Sequence, residues 1–82
     1  MSAESEFLLG TVQALVSKPE LVSVREAAAD KLLELILSVA PEDMGAVIGR
    51  EGRTAGALRV LCRAIGAAKG RKVTLEIQEP KK

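Results

Sequence analysis

Gly49 and Gly52 are the two residues around which this chain could organise chemistry. They bound Arg50 and Glu51 within the run Val47-Ile48-Gly49-Arg50-Glu51-Gly52-Arg53-Thr54. Glycine adopts backbone angles that other residues avoid, and it lets a ligand's backbone approach because no Cβ intervenes. Gly52 also precedes an expected helix, whose first N–H groups and dipole attract anions. Arg50 and Arg53 place mobile positive charge beside those groups. Such a loop can hold a sugar–phosphate backbone with little regard to base identity. A bare G-x-x-G also forms ordinary corners between helices. Here the preceding Val47-Ile48, the arginines on either side of Gly52 and the strands flanking the two-helix unit all favour the binding loop.

Other chemistries find no residues. A Walker loop needs a glycine five positions before Gly52, where Val47 stands, and a lysine where Arg53 stands. No Gly-x-Gly-x-x-Gly occurs. Histidine, the commonest general acid/base and metal ligand, is absent, and no nucleophile–base pair or metal set is evident. We therefore expect no enzyme, no cofactor and no metal. Cys62 is the only cysteine, so no disulfide forms within the chain. Its place in an apolar helical stripe suits a buried structural thiol better than a reactive one. Tyrosine and tryptophan are missing and Phe7 is the only aromatic, which removes the stacking platforms of RNA-recognition motifs and oligonucleotide-binding folds.

The loop must be positioned by elements that the sequence outlines. Residues 4–17 read as an amphipathic helix, with Leu8, Val12, Leu15 and Val16 at helical spacing and Phe7 alongside. Lys18 and Pro19 end it. Residues 21–26 read as a strand, and Ala27-Ala28-Ala29-Asp30 as the turn after it. Residues 31–39 form a second strand, with Leu33, Leu35, Leu37 and Val39 on one face. Leu32 and Ile36 on its other face suggest a central or covered strand. Pro41 suits a helix start, and Glu42 and Asp43 suit the positive end of its dipole. That short helix carries Met44, Val47 and Ile48 and stops at Gly49. A third helix runs from about Arg53 to Lys69, burying Leu58, Leu61, Cys62 and Ile65, with Gly70 as its cap. Residues 72–78 form the last strand, and 79–82 a frayed tail. The order is α-β-β-α-α-β.

Length and composition bound the rest. With 82 residues, 48% apolar and 28% charged, the chain fits one soluble globular α+β domain spanning 1–82. The acidic N-terminus argues against a secretory signal, and the apolar runs are short of a membrane span. The free-thiol usage fits a reducing cytoplasm. The net charge of +1 conceals a segregation. Residues 1–44 hold eight acids and three bases, whereas residues 45–72 hold seven bases and one acid, Glu51. A segregated basic segment is a footprint for an anionic partner, although a solvated helix face would look the same.

The stretch Val39-Ala40-Pro41-Glu42-Asp43-Met44-Gly45-Ala46-Val47-Ile48-Gly49-Arg50-Glu51-Gly52-Arg53-Thr54-Ala55, followed at the end by Arg71-Lys72-Val73-Thr74-Leu75-Glu76-Ile77, resembles the small bacterial single-KH RNA-binding proteins of the KhpA family. The resemblance covers nearly the whole chain. It implies a type II KH domain, with a three-stranded mixed sheet packed under three helices. It also implies single-stranded RNA binding in the bacterial cytoplasm, and pairing with itself or with a larger KH protein of the KhpB kind. Neither a membrane nor a small-molecule substrate is implied. In KH domains the G-x-x-G loop grips the backbone of about four nucleotides beside an apolar groove. Carried over by position, the binding residues are Val47, Ile48, Gly49, Arg50, Glu51, Gly52, Arg53, Thr54 and Ala55. Leu58 and either Ile36 or Ser38 would complete the groove. Glu51 departs from the family, which often carries lysine or a neutral residue there.

Two surfaces stay open to more than one reading. Arg59 and Arg63 are either a solvated flank of the third helix or RNA contacts. The face of Gly56, Ala57, Val60, Ala64 and Ala67 reflects either helix propensity or a dimer contact. A competing function is a KH-shaped protein-interaction adaptor whose loop has lost RNA affinity, which Glu51 favours and the clustered bases oppose.

Overall fold

The computed structural model describes residues 2–79. Helix α1 spans Ala3–Leu15, and the Ser2 hydroxyl caps it by accepting the Ser5 N–H at 3.1 Å. It ends two residues earlier than its periodicity suggests. Val16 is extended, and Pro19–Leu21 forms a separate 3₁₀ turn. Leu8 and Val12 are fully buried, but Leu15, expected in the core, is 46% exposed. The frayed tail expected after residue 78 reaches only Glu79 here; residues 80–82 lie outside the described part.

Strand β1 spans Ser23–Ala29 and β2 spans Leu32–Ser38. The three alanines read as a turn are strand residues instead. Ala28 lies opposite Leu33 and Ala29 opposite Leu32, so cross-strand pairing overrides alanine's weak strand preference. Asp30 and Lys31 make the turn, as a two-residue hairpin loop.

The sheet order is β1-β2-β3, with β3 at Lys72–Ile77 parallel to β2. Parallel strands need a long crossover, and the segment between them supplies it as two helices. These are α2 at Met44–Ile48, entered through a 3₁₀ turn at Pro41–Asp43, and α3 at Arg53–Ala68. Gly70, at φ 73°, reverses the chain after α3.

All three helices cover one face of the sheet. Leu33, Leu35 and Leu37 of β2 and Val73 and Leu75 of β3 meet Leu8, Val12, Val47, Leu58 and Cys62 there. The architecture is therefore the expected α+β arrangement. The other face of β2 is open rather than covered: Leu32 is 40% exposed and Ile36 half-buried. Alternation sends Leu32, Glu34, Ile36 and Ser38 to that open side.

In α3 the buried residues are Ala55, Leu58, Cys62 and Gly66, with Leu61 left 47% exposed. Gly66 marks the closest approach to β3, where a Cβ would overlap Val73 Cγ2 and lie 3.0 Å from the Arg71 carbonyl oxygen.

An ion pair that local sequence reasoning missed joins the N-terminus to the α3–β3 turn. Glu4 is fully buried, and its carboxylate accepts from Arg71 Nε at 2.9 Å and Lys69 Nζ at 3.4 Å. The Arg71 hydrogen bond holds its carboxyl below the usual carboxylate range.

Candidate nucleic-acid interface

The loop is built by three successive backbone choices. α2 closes with the Gly49 N–H donating to the Gly45 carbonyl at 2.9 Å. Gly49 then takes φ 76°, ψ 174°, a region open essentially to glycine alone. Arg50–Gly52 make one 3₁₀ turn, in which the Gly52 N–H donates to the Gly49 carbonyl at 3.2 Å and the Arg53 N–H to the Arg50 carbonyl. Glu51 (φ 56°, ψ 27°) and Gly52 (φ 75°, ψ 14°) are both left-handed, and α3 starts at once with Arg53. Thr54 packs directly on Gly49 and closes the loop upon the first turn of α3.

The turn consumes two of the N–H groups that could have faced an anion. Those of Arg50 and Glu51 are not engaged in it. They accompany the exposed Arg50 side chain and the N-terminus of α3. Glu51 turns its carboxylate to Arg53 at 3.6 Å, with both side chains about three-quarters exposed (75% and 77%). A pair this exposed is weak and easily exchanged.

The second wall of the site is the free edge of β3. The Lys72 and Gln78 N–H groups face β2, bonding the Lys31 and Leu37 carbonyls at 2.8 Å each. Alternation then turns the N–H and C=O groups of Val73, Leu75 and Ile77 outward. Arg59 lies half-buried between α3 and this edge, its Nε donating to the Leu75 carbonyl at 3.3 Å. Gly56, Arg59 and Arg63 share one stripe of α3, running from the loop along that edge.

The comparisons with known proteins bear on this geometry. A KhpA/KhpB KH-domain model matches residues 5–77. The chain belongs to the KhpA/KhpB KH-domain family. The protein named RNA-binding protein KhpA in Listeria monocytogenes is 45% identical over 74 residues, covering 90% of this chain and 97% of that protein. The Clostridium perfringens protein of the same name is 45% identical over 65 residues, covering 79% and 87%. That of Aquifex aeolicus is 40% identical over 79 residues, covering 96% and 100%.

Within this KH domain the structure sorts the residues singled out from sequence. Ile48, Gly49, Arg50, Glu51, Gly52, Arg53 and Thr54 all reach the surface around one loop. Val47 and Ala55 do not, at 0% and 3% exposure; with Leu58 they seat the loop from inside. Ile36 and Ser38 cannot line the groove, because they project from the sheet face opposite the helices, where Ser38 bonds Gln78. Edge strand β3, not central strand β2, borders the site. The seven-base segment also divides. Lys69 and Arg71 are held by Glu4, whereas among the described residues no carboxylate pairs with Arg50, Arg59, Arg63 or Lys72. Cys62 is buried, and desolvation pushes its thiol up, away from reactivity.

Proposed function

We propose that this KH domain binds single-stranded RNA, with the phosphate backbone on the Gly49–Gly52 loop and the bases along the groove between α3 and β3. The observation that carries the reading is the loop itself. The glycine-only angles of Gly49 and the left-handed turn after it bring the Arg50 and Glu51 N–H groups, the Arg50 side chain and the α3 N-terminus to one surface. Phosphate contacts there position the strand, and they carry no sequence information. Ile48 and Gly56 offer an apolar floor, and the outward peptide groups of Val73 and Ile77 offer hydrogen bonds to base edges, beside the Arg59 side chain that bonds the Leu75 carbonyl. The function is binding, with no chemical step, exercised in the bacterial cytoplasm.

Affinity from one small domain is weak. Pairing two domains raises it through effective concentration, by roughly 10²–10⁴. The partner in this reading is a second copy or a larger KH protein. Val60 and Leu61, 61% and 47% exposed between Ala57 and Ala64, supply an apolar contact on α3 turned away from Arg59. Both loops stay free in such a pair.

Filter binding to a mixed single-stranded RNA pool at two salt concentrations tests the reading. Arg50→Asp with Glu51→Asp removes the loop's cation and keeps residues that tolerate the left-handed region. Binding should be lost with an unchanged circular dichroism spectrum. Undiminished affinity in the folded double variant would move the RNA off this loop, and a wild type that does not retain RNA would replace this reading with the adaptor.

A further inference from the structure

Asp43 lies outside the loop and is only 4% exposed. Its Oδ1 accepts the Ser17 N–H at 2.9 Å and the Ser17 hydroxyl at 2.7 Å, and its Oδ2 accepts the Lys18 N–H at 3.0 Å. These donors follow the end of α1, so the carboxylate ties the exit of α1 to the entrance of α2. It makes no cap bond within its own helix. Glu42 next to it pairs with Lys18 Nζ at 2.6 Å on the surface.

The tie matters because of what α2 is. Five residues make about one and a half turns, too few to hold a helix in water without tertiary contacts. Of its side chains only Val47 is fully buried, with Met44 partly so. Asp43 at the entrance and Val47 near the exit are therefore its two anchors. Gly49 follows directly and is bonded back to Gly45, so the loop inherits its position from α2.

We propose that Asp43, held by Ser17 and Lys18, is a positioning residue for RNA binding: it seats α2, and through it the Gly49–Gly52 loop, without touching RNA. The inference rests on the RNA reading above. Three converging donors need acceptors at both oxygens, which an ionised carboxylate provides. Asparagine would turn its NH₂ toward either the Lys18 N–H or the Ser17 donors. The N–H bond from Ser17 holds the Asp43 carboxyl below its ordinary range, so the tie persists at neutral pH.

A purely structural role would lower stability and leave the folded protein's affinity alone. The test uses the whole chain and a randomised single-stranded RNA pool, with melting temperature and amide exchange measured alongside. If release of α2 cuts the competent fraction to about a tenth, Asp43→Asn binds about tenfold more weakly below its melting transition. Exchange should quicken in residues 44–52 and not in β2 or β3. Ser17→Ala keeps both backbone bonds and should weaken binding by a smaller factor, about threefold. Leu33→Val thins the core at the far end of β2 and should lower the melting temperature without changing affinity. If Asp43→Asn does not fold, Ser17→Ala decides. Wild-type affinity in both folded variants, or an equal affinity loss in Leu33→Val at matched melting temperature, overturns the proposal. The loop double variant separates the two ideas. If it loses binding while the Asp43 and Ser17 variants do not, only the positioning role fails; if it binds like wild type, the placement of RNA on the loop fails first.

Discussion

The two glycines of the loop should respond very differently to alanine, although the motif spaces them as equals. At Gly49 a Cβ would overlap Thr54 Oγ1 and lie 2.8 Å from Thr54 Cβ and 2.9 Å from its backbone nitrogen. Its φ of 76° with ψ of 174° adds strain of about 1–3 kcal/mol for any other residue. The overlap adds about 1–3 kcal/mol, because backbone stands behind it. Against this, alanine restricts the unfolded chain and returns only about 0.4–1 kcal/mol. Gly49→Ala should therefore lose about 1–5 kcal/mol, unless the loop abandons its shape, and either route removes RNA binding. Truncating Thr54 does not rescue it, since the Cβ and nitrogen contacts remain. At Gly52 an added Cβ would meet nothing within 4 Å, and φ 75°, ψ 14° is ordinary left-handed space. The penalty there is about 1–2 kcal/mol, about half of it offset by the same unfolded-state gain. Thermal melting reads the difference at about 4–8 °C per kcal/mol for a domain of this size, and filter binding reads the function. Equal losses from Gly49→Ala and Gly52→Ala, or a Gly49→Ala protein that melts and binds like wild type, would refute the reasoning.

Three further outcomes follow from the site and its supports. Glu51→Lys frees Arg53 and adds a cation, so RNA binding should tighten by about threefold; the log–log salt slope should steepen by about 0.7 per added phosphate contact, and an unchanged slope would place residue 51 away from the RNA. Val60→Asp should convert a dimer into a folded monomer with weaker RNA binding; sedimentation decides, and a wild type monomeric at high concentration removes this face from the assembly. Glu4, through Arg71, and Asp43, through the Ser17 N–H, both have folded-state pKa values below their unfolded ones. Their stabilisation is complete above the unfolded carboxylate range and is lost as pH falls through the folded values, so the melting temperature should hold from neutrality to about pH 5 and drop below about pH 4. Glu4→Gln should flatten part of that drop, and a melting temperature that rises on acidification would contradict it.

Much of the fold was legible because its signals are local. Pro19 and Pro41 fix chain breaks, Gly70 supplies the left-handed residue after α3, and alternation in β2 and β3 names the inward leucines and valines. The Gly49–Gly52 loop was legible for the same reason, since a glycine's backbone freedom is a property of the residue. Side-chain exposure was less so. Leu15 and Leu61 fit their helical stripes by spacing, yet both stand largely in solvent, because spacing gives a direction and not a neighbour.

What only the tertiary structure decided are the pairings between distant residues. Strand β1 extends through Ala27–Ala29 because Leu33 and its neighbours lie opposite, not because alanine favours a strand. Asp43 finds Ser17 across 26 positions, and Glu4 finds Arg71 across 67. The sheet order places β3 at the edge, so Arg59 reaches the Leu75 carbonyl and Ile36 is left on the far side. Backbone angles and periodicity are written into single residues and short runs. A carboxylate's partner is chosen only when folding brings donors to it from elsewhere in the chain, and no local spacing encodes that meeting.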